Sequence, residues 1–205
     1  MDANHKKALS YALLLGLVCL LLLGGTLDLA SGGKEWSDAP IEARASGYDF
    51  WQGFVDGDAV VEGCVPDVVG RLRCSDAAGD FVGPHIALFD GKPRRCIWTR
   101  SKEANERRIV FSDIPVGSEI RGGWGAPAGV AGNGDASLRV LVGGREALHE
   151  RFEEKPGSWM DWKARLRKSD GARADVTFLI EGEDGRLPPV CFDAIVLDRR
   201  QGERP

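Results

Sequence analysis

Polar and apolar positions alternate most regularly toward the C-terminus. In WMDWKARLR, residues 159–167, Met160, Trp162, Ala164 and Leu166 fall on one side of an extended chain, and Asp161, Lys163, Arg165 and Arg167 on the other. That is the period of a half-buried strand. A turn at SDG leads into ADVTFLIEG, whose inward set is Val176, Phe178 and Ile180, and EDGRLPP connects it to VCFDAIVLD. This last segment is apolar on both faces except at Asp193, which predicts a strand with neighbours on both sides. Upstream, the segment around Cys96 and the segments RRIVFSD, SEIRGGW, ASLRVLV and REALHERF are further short strands separated by Gly, Pro, Asn or Asp turns. From Arg94 onward this makes roughly eight strands, the number and spacing of a β-sandwich.

The N-terminal half is less regular. Residues 8–30, ALSYALLLGLVCLLLLGGTLDLA, form an apolar run preceded by His5, Lys6 and Lys7. The run predicts a signal-anchor or transmembrane helix that keeps its lysines in the cytoplasm. Cleavage after Ala30, Ser31 and Gly32 is the other reading. Cys19, followed by four leucines, reads as one more apolar residue of that helix. Residues 31–47 read as a linker, and residues 48–93 as an N-terminal extension to a sandwich over 94–198, with 199–205 as a tail. Within the extension, Tyr48, Phe50, Trp51, Phe54 and Val55 recur at helical spacing before Gly57, which predicts a short amphipathic helix docked on the core. FVGPHIALF reads as a strand interrupted at Pro84.

Composition narrows the function classes. The chain has 43% hydrophobic and 28% charged residues with a formal net charge of -4. That is the balance of an ordinary folded protein; it implies no nucleic-acid or other polyanionic partner. Alanine, glycine and arginine usage points to a bacterium with G+C-rich coding. The predicted anchor places the folded domain in the periplasm or extracellular space, where thiols tend to be paired. Cys64, Cys74, Cys96 and Cys191 then allow three pairings. A zinc site is disfavoured, because no two of them have knuckle spacing and only His85 and His149 would add ligands outside the anchor.

The order CIW, RIVFSDIPVG, a glycine-rich loop, LRVLVGG, GSWMDWKARL, ADVTFLIEG and CFDAIVLD resembles the galactose-binding-domain-like jelly roll of many carbohydrate-binding modules, over residues 94–198. The resemblance implies an all-β jelly-roll sandwich in which the first and last strands run side by side. It thereby implies the disulfides Cys96–Cys191 and Cys64–Cys74. It also implies that a structural calcium ion is an option, with Asp193 the carboxylate to watch. An ion pair between Asp193 and an arginine is the preferred account, and no cofactor is expected.

The sequence contains no G-x-S-x-G elbow, H-E-x-x-H pair or P-loop, so catalysis is not expected. The glycines of GGWGAPAGVAGNGD read as a long loop. A glycan site needs an aromatic face flanked by planar polar groups. Trp124 and Trp159 are the candidate platforms, with Arg121 as a fork of donors and His149 as a further polar group. Trp98 and Trp162 read as core. The function expected is a membrane-tethered, exported, non-catalytic module that binds glycan or a cell-envelope protein. The alternative is a structural or assembly subunit of a membrane or envelope complex.

Overall fold

The computed structural model describes residues 47–67, 70–101, 103–130, 134–153, 155–167, 172–183 and 185–197. The predicted anchor, nearly all of the linker and the tail lie outside these residues. Among the described residues no helix is long and apolar enough to cross a membrane.

One short helix, α1 (Phe50–Asp56), precedes the strands β1 (Ala59–Val61), β2 (Val65–Pro66), β3 (Leu72–Arg73), β4 (Phe81–Phe89), β5 (Lys92–Thr99), β6 (Glu106–Pro115), β7 (Glu119–Gly125), β8 (Ala136–Val142), β9 (Arg145–Phe152), β10 (Met160–Arg165), β11 (Arg173–Gly182) and β12 (Val190–Leu197). They form two antiparallel sheets: a five-stranded sheet in the order β1-β6-β11-β8-β9, and a seven-stranded sheet in the order β10-β7-β12-β5-β4-β3-β2. The predicted eight strands from Arg94 correspond to β5 through β12. As its two-sided hydrophobicity predicts, β12 is interior, paired with β5 on one side and β7 on the other.

The core forms where the alternation says it must. Val176, Phe178 and Ile180 of β11 are all fully buried, as are Ile97, Ile120, Trp124 and Phe192 from the facing sheet. Phe178 is its hub: its ring lies 4.9 Å from Phe50, 4.9 Å from Phe192 and 6.0 Å from Phe111, centre to centre. Helix α1 supplies Phe50 and Phe54 to this core. It starts where Asp49 accepts a hydrogen bond from the Gln52 amide at 3.1 Å, and it ends where Gly57 takes a left-handed φ of 88°. These are an N-cap and a C-terminal stop. A buried ion pair between Asp80, just before β4, and Arg107 of β6 ties the two sheets together. Ser75 and Ser101 also donate to the carboxylate, at 2.8 and 3.3 Å.

Three expectations change. Residues 48–93 are not a separate extension: β1 is hydrogen-bonded to β6 and β4 to β5, and the expected boundary at 93 falls inside β5. Pro84 does not interrupt β4, which runs unbroken over nine residues. The reason is that β3 pairs only with Phe81 and Val82, so the missing amide of Pro84 faces a free edge. The first glycines of the expected loop, Gly122, Gly123 and Gly125, lie in β7.

Candidate functional site

Register assigns every side chain of the seven-stranded sheet to a face. On β7, Ile120 and Trp124 point into the core, so Glu119, Arg121, Gly123 and Gly125 face out. On β10 Trp162 and Ala164 point in, so Asp161, Lys163 and Arg165 face out beside them. Cys191 and Asp193 of β12, and Arg94, Cys96 and Trp98 of β5, extend the same outer face.

Part of this face is covered by the chain itself. Pairing between β5 and β12 stops at Ile97–Phe192, and the β4–β5 hairpin beyond it leaves the sheet. The hairpin arches back over the outer face until the Asp90 amide donates to the Gly157 carbonyl at 2.7 Å. Its tip is Asp90-Gly91, with φ of 51° and 73°, the two positive values that a tight hairpin turn requires. Beneath the arch Ala87, Phe89, Cys96, Trp98 and Cys191 form a second apolar cluster, separate from the main core. The Cys96–Cys191 disulfide lies within it, joining the adjacent strands β5 and β12, and Cys64–Cys74 forms the second bridge.

Trp159 closes the margin of this cluster. Its indole meets Phe89 edge to face at 4.8 Å, and the Arg94 guanidinium carbon sits 5.1 Å from the ring centre. Its Nε1 donates to Asp161 at 3.0 Å. The ring lies so close to β7 that a Cβ on Gly123 would overlap it. Glycine inside a strand pattern marks such a close approach, and this was the signal in GGWG that reading the segment as a loop missed.

The predicted site residues separate into three groups. Trp159 and Arg121 share the outer face, with Trp159 half-buried and Arg121 exposed. Trp124 does not join them: it is 0% exposed and packs on Phe152 at 5.3 Å inside the sandwich. One residue of strand period separates Trp124 from Gly123, which is enough to send it to the opposite face. His149 lies on β9, an edge of the five-stranded sheet, opposite Arg139. It therefore belongs to a different sheet from Trp159, and no site unites them. His85 stands edge-on to Trp98 at 5.2 Å on the arched hairpin.

Asp193 meets a cation of the protein's own. Arg95 Nε is 3.7 Å from its carboxylate, and its other oxygen accepts from the Ala194 amide at 2.9 Å. Arg95 also pairs with Asp49 and stacks on Trp51 at 5.1 Å, filling the space where β5 diverges from β12. A guanidinium in that position does not fit a calcium ion at Asp193, because the two cations would repel. Among the described residues no three His, Cys, Asp or Glu side chains are grouped to hold a metal.

Glu119 is buried at the far end of the outer face and pairs with Arg121, two residues along the same strand. Sequence reading passed over this acid. The register places Lys163 directly opposite Arg121, and Arg165 directly opposite Glu119.

No protein-family model matches the sequence, and no curated protein matches it. Among solved structures the chain is similar to carbohydrate-binding modules, the class its sequence resembles. With CBM51 of Clostridium perfringens GH95, in complex with methyl-galactose, it shares 11% identity over 73% of this chain and 99% of that one, at a TM-score of 0.43. With a family 35 carbohydrate-binding module from Clostridium thermocellum the identity is 13%, over 74% and 98% of the two chains, at a TM-score of 0.39. CBM51-2 and its INT domains from Clostridium perfringens ZmpB, solved with GlcNAc, give 15% identity and a TM-score of 0.40 over 57% of this chain. The match spans 25% of the length of that ZmpB chain.

Proposed function

We propose that the protein is a membrane-tethered, exported, non-catalytic glycan-binding module of jelly-roll type, and that it contacts glycan through the outer face of the seven-stranded sheet beside Trp159. The observation that carries this reading is the held indole. Trp159 is fixed by Phe89, Arg94 and Asp161 while remaining half-buried, at the border of a surface lined by the planar and charged groups of Asp161, Arg121 and Lys163. A pre-positioned aromatic edge beside fixed donors and acceptors suits a sugar, which presents apolar C–H faces and hydroxyls together.

The test is retention of the full chain, in a detergent without a sugar headgroup, on a panel of immobilised polysaccharides. Trp159→Ala is expected to weaken binding by about tenfold or more, the loss of one aromatic contact. Trp124→Phe, buried on the other side of the sheet, is expected to leave binding unchanged. Equal retention of Trp159→Ala and the parent, with folding intact by circular dichroism, removes the site; no retention on any polysaccharide removes the reading.

One observation favours the assembly subunit instead. Ile86 and Leu88, alternate residues on the face of the hairpin turned away from the sheet, are 61% and 56% exposed. Paired aliphatic side chains in water are a feature of docking surfaces. A chain that binds no glycan would be read through this ridge.

A further inference from the structure

From the register of β7 and β10 we infer that the outer face carries an oxyanion site, built by Arg121, Lys163 and Arg165, which selects acidic over neutral glycans. The inference rests on the glycan-binding reading and deepens it.

The three cations occupy neighbouring positions on one face, beside the buried Glu119 carboxylate. Lys163 stands directly opposite Arg121, Arg165 directly opposite Glu119, and Arg121 is paired with Glu119. Like charges directly opposite one another on neighbouring strands destabilise a sheet. Here a lysine and an arginine occupy such a pair although either could be a neutral residue without loss of core packing, since both point away from it. Glu119 offsets one charge and Asp161, on the same face of β10, a second, which leaves the group with an excess of one positive charge on a chain whose net charge is -4.

A common explanation for cations on a sheet covers only part of this. Charged side chains on an edge strand keep other chains from pairing with it, and β10 is an edge strand, so Lys163 and Arg165 fit that role. Arg121 does not, because β7 lies between β10 and β12 and both its edges are already hydrogen-bonded. The buried Glu119 carboxylate takes the Nε of Arg121, an interaction that orients the guanidinium on the exposed face. An oriented guanidinium next to an ammonium matches a carboxylate or sulfate, which accepts two parallel bonds from the fork and a third from the lysine. Trp159 and Asp161 lie on the same face of β10 and its N-terminal flank, so a sugar ring beside the indole would hold its acidic group or that of the next residue toward the cations.

The experiment measures binding of the full chain to polygalacturonate, dextran sulfate and dextran at low and moderate salt, with vesicles of neutral and anionic lipid as further arms. Binding to one or both acidic polymers, weakened by salt and absent with dextran, is the expected result; whether polygalacturonate or dextran sulfate binds identifies the carboxylate or the sulfate as the group held. The triple variant Arg121→Gln, Lys163→Gln, Arg165→Gln is expected to lose about tenfold or more in affinity for that polymer. Arg108→Gln, on the outer face of the other sheet, is expected to lose none. Lys163→Gln alone is expected to bind more weakly while its melting temperature stays level or rises, because it relieves the like-charge pair; a falling melting temperature with unchanged binding overturns the inference in favour of a structural lysine. Equal binding of dextran and acidic polymers, unaffected by the triple variant, also overturns it and leaves the glycan reading standing. Binding only to anionic vesicles overturns both, in favour of a lipid surface, and binding to none of the probes does so without replacement.

Discussion

Each face of the seven-stranded sheet carries a buried apolar cluster, yet the two clusters are buried by different means. The inner face, with Ile97, Ile120, Trp124 and Phe192, is covered by a second sheet whose residues alternate in step with it. The outer face, with Cys96, Trp98 and Cys191, is covered by one arched hairpin and the indole of Trp159. Burial against a whole sheet is cooperative, because every strand contributes to the same core. Burial under a hairpin is local and depends on what holds the base of the hairpin in place. The difference teaches that the inner face forms the cooperative core, whereas the order of the outer face depends on what holds one hairpin against it.

The disulfide is the strongest test of that division. Cys96–Cys191 spans 95 residues and sits where the hairpin leaves the sheet. In the chain-entropy model its loss costs about 4–5 kcal/mol, against roughly 2–3 kcal/mol for the Cys64–Cys74 bridge with its separation of 10. Urea unfolding of Cys96→Ala, Cys191→Ala beside Cys64→Ala, Cys74→Ala gives the ranking. If the short bridge proves the more costly to remove, the outer face is not held at the hairpin's base and the comparison fails.

A smaller effect separates local from global order. Phe178→Ala, at the hub of the main core, is expected to lose about 3–5 kcal/mol of global stability. Phe89→Ala removes an equally buried ring, but one that packs only under the arch. It is expected to cost less globally and to abolish amide-exchange protection across residues 86–95, leaving β11 protected. Equal loss of protection in β11 and in the hairpin would show that the two faces unfold as one unit.

Much of the inner face was legible because strand period is a local property. Val176, Phe178 and Ile180 declare their common face within five residues, and the Trp162 and Ala164 pair does the same on β10. The outer face was legible only in fragments. The arch depends on where β5 stops pairing with β12, a fact about two segments far apart in the chain. Local hints existed: Asp90-Gly91 is a hairpin turn signal, and the strand glycine Gly123 marks a neighbour lying close above it. Trp124 was misplaced because a tryptophan in a glycine-rich segment reads as a loop residue unless the strand is carried through to Gly125. The cation group was hidden for another reason. Arg121 and Lys163 are forty-two positions apart, so no charge run shows them, and the acidic net charge points the other way.

The smallest predicted effect lies where the inner core meets solvent. The Tyr48 hydroxyl donates to Asp58 at 2.7 Å, and its ring leans on Phe50 at 5.1 Å, centre to centre. Partial burial, followed by the hydrogen bond to the Asp58 carboxylate and its negative charge, raises the tyrosine's pKa well above its ordinary value of 10.0. In the unfolded chain the phenol ionises near that ordinary value, so above it the folded state binds more protons than the unfolded state and stability falls as pH rises. Below pH 10 the contribution is fully present. Tyr48→Phe keeps the ring packing and removes the ionisation, and is expected to cost about 0.5–1.5 kcal/mol at neutral pH. The difference in stability between parent and variant then shrinks at alkaline pH. Unfolding midpoints at pH 7, 9 and 10.5 measure it; a difference that widens with pH would mean that Tyr48 ionises more readily in the folded chain.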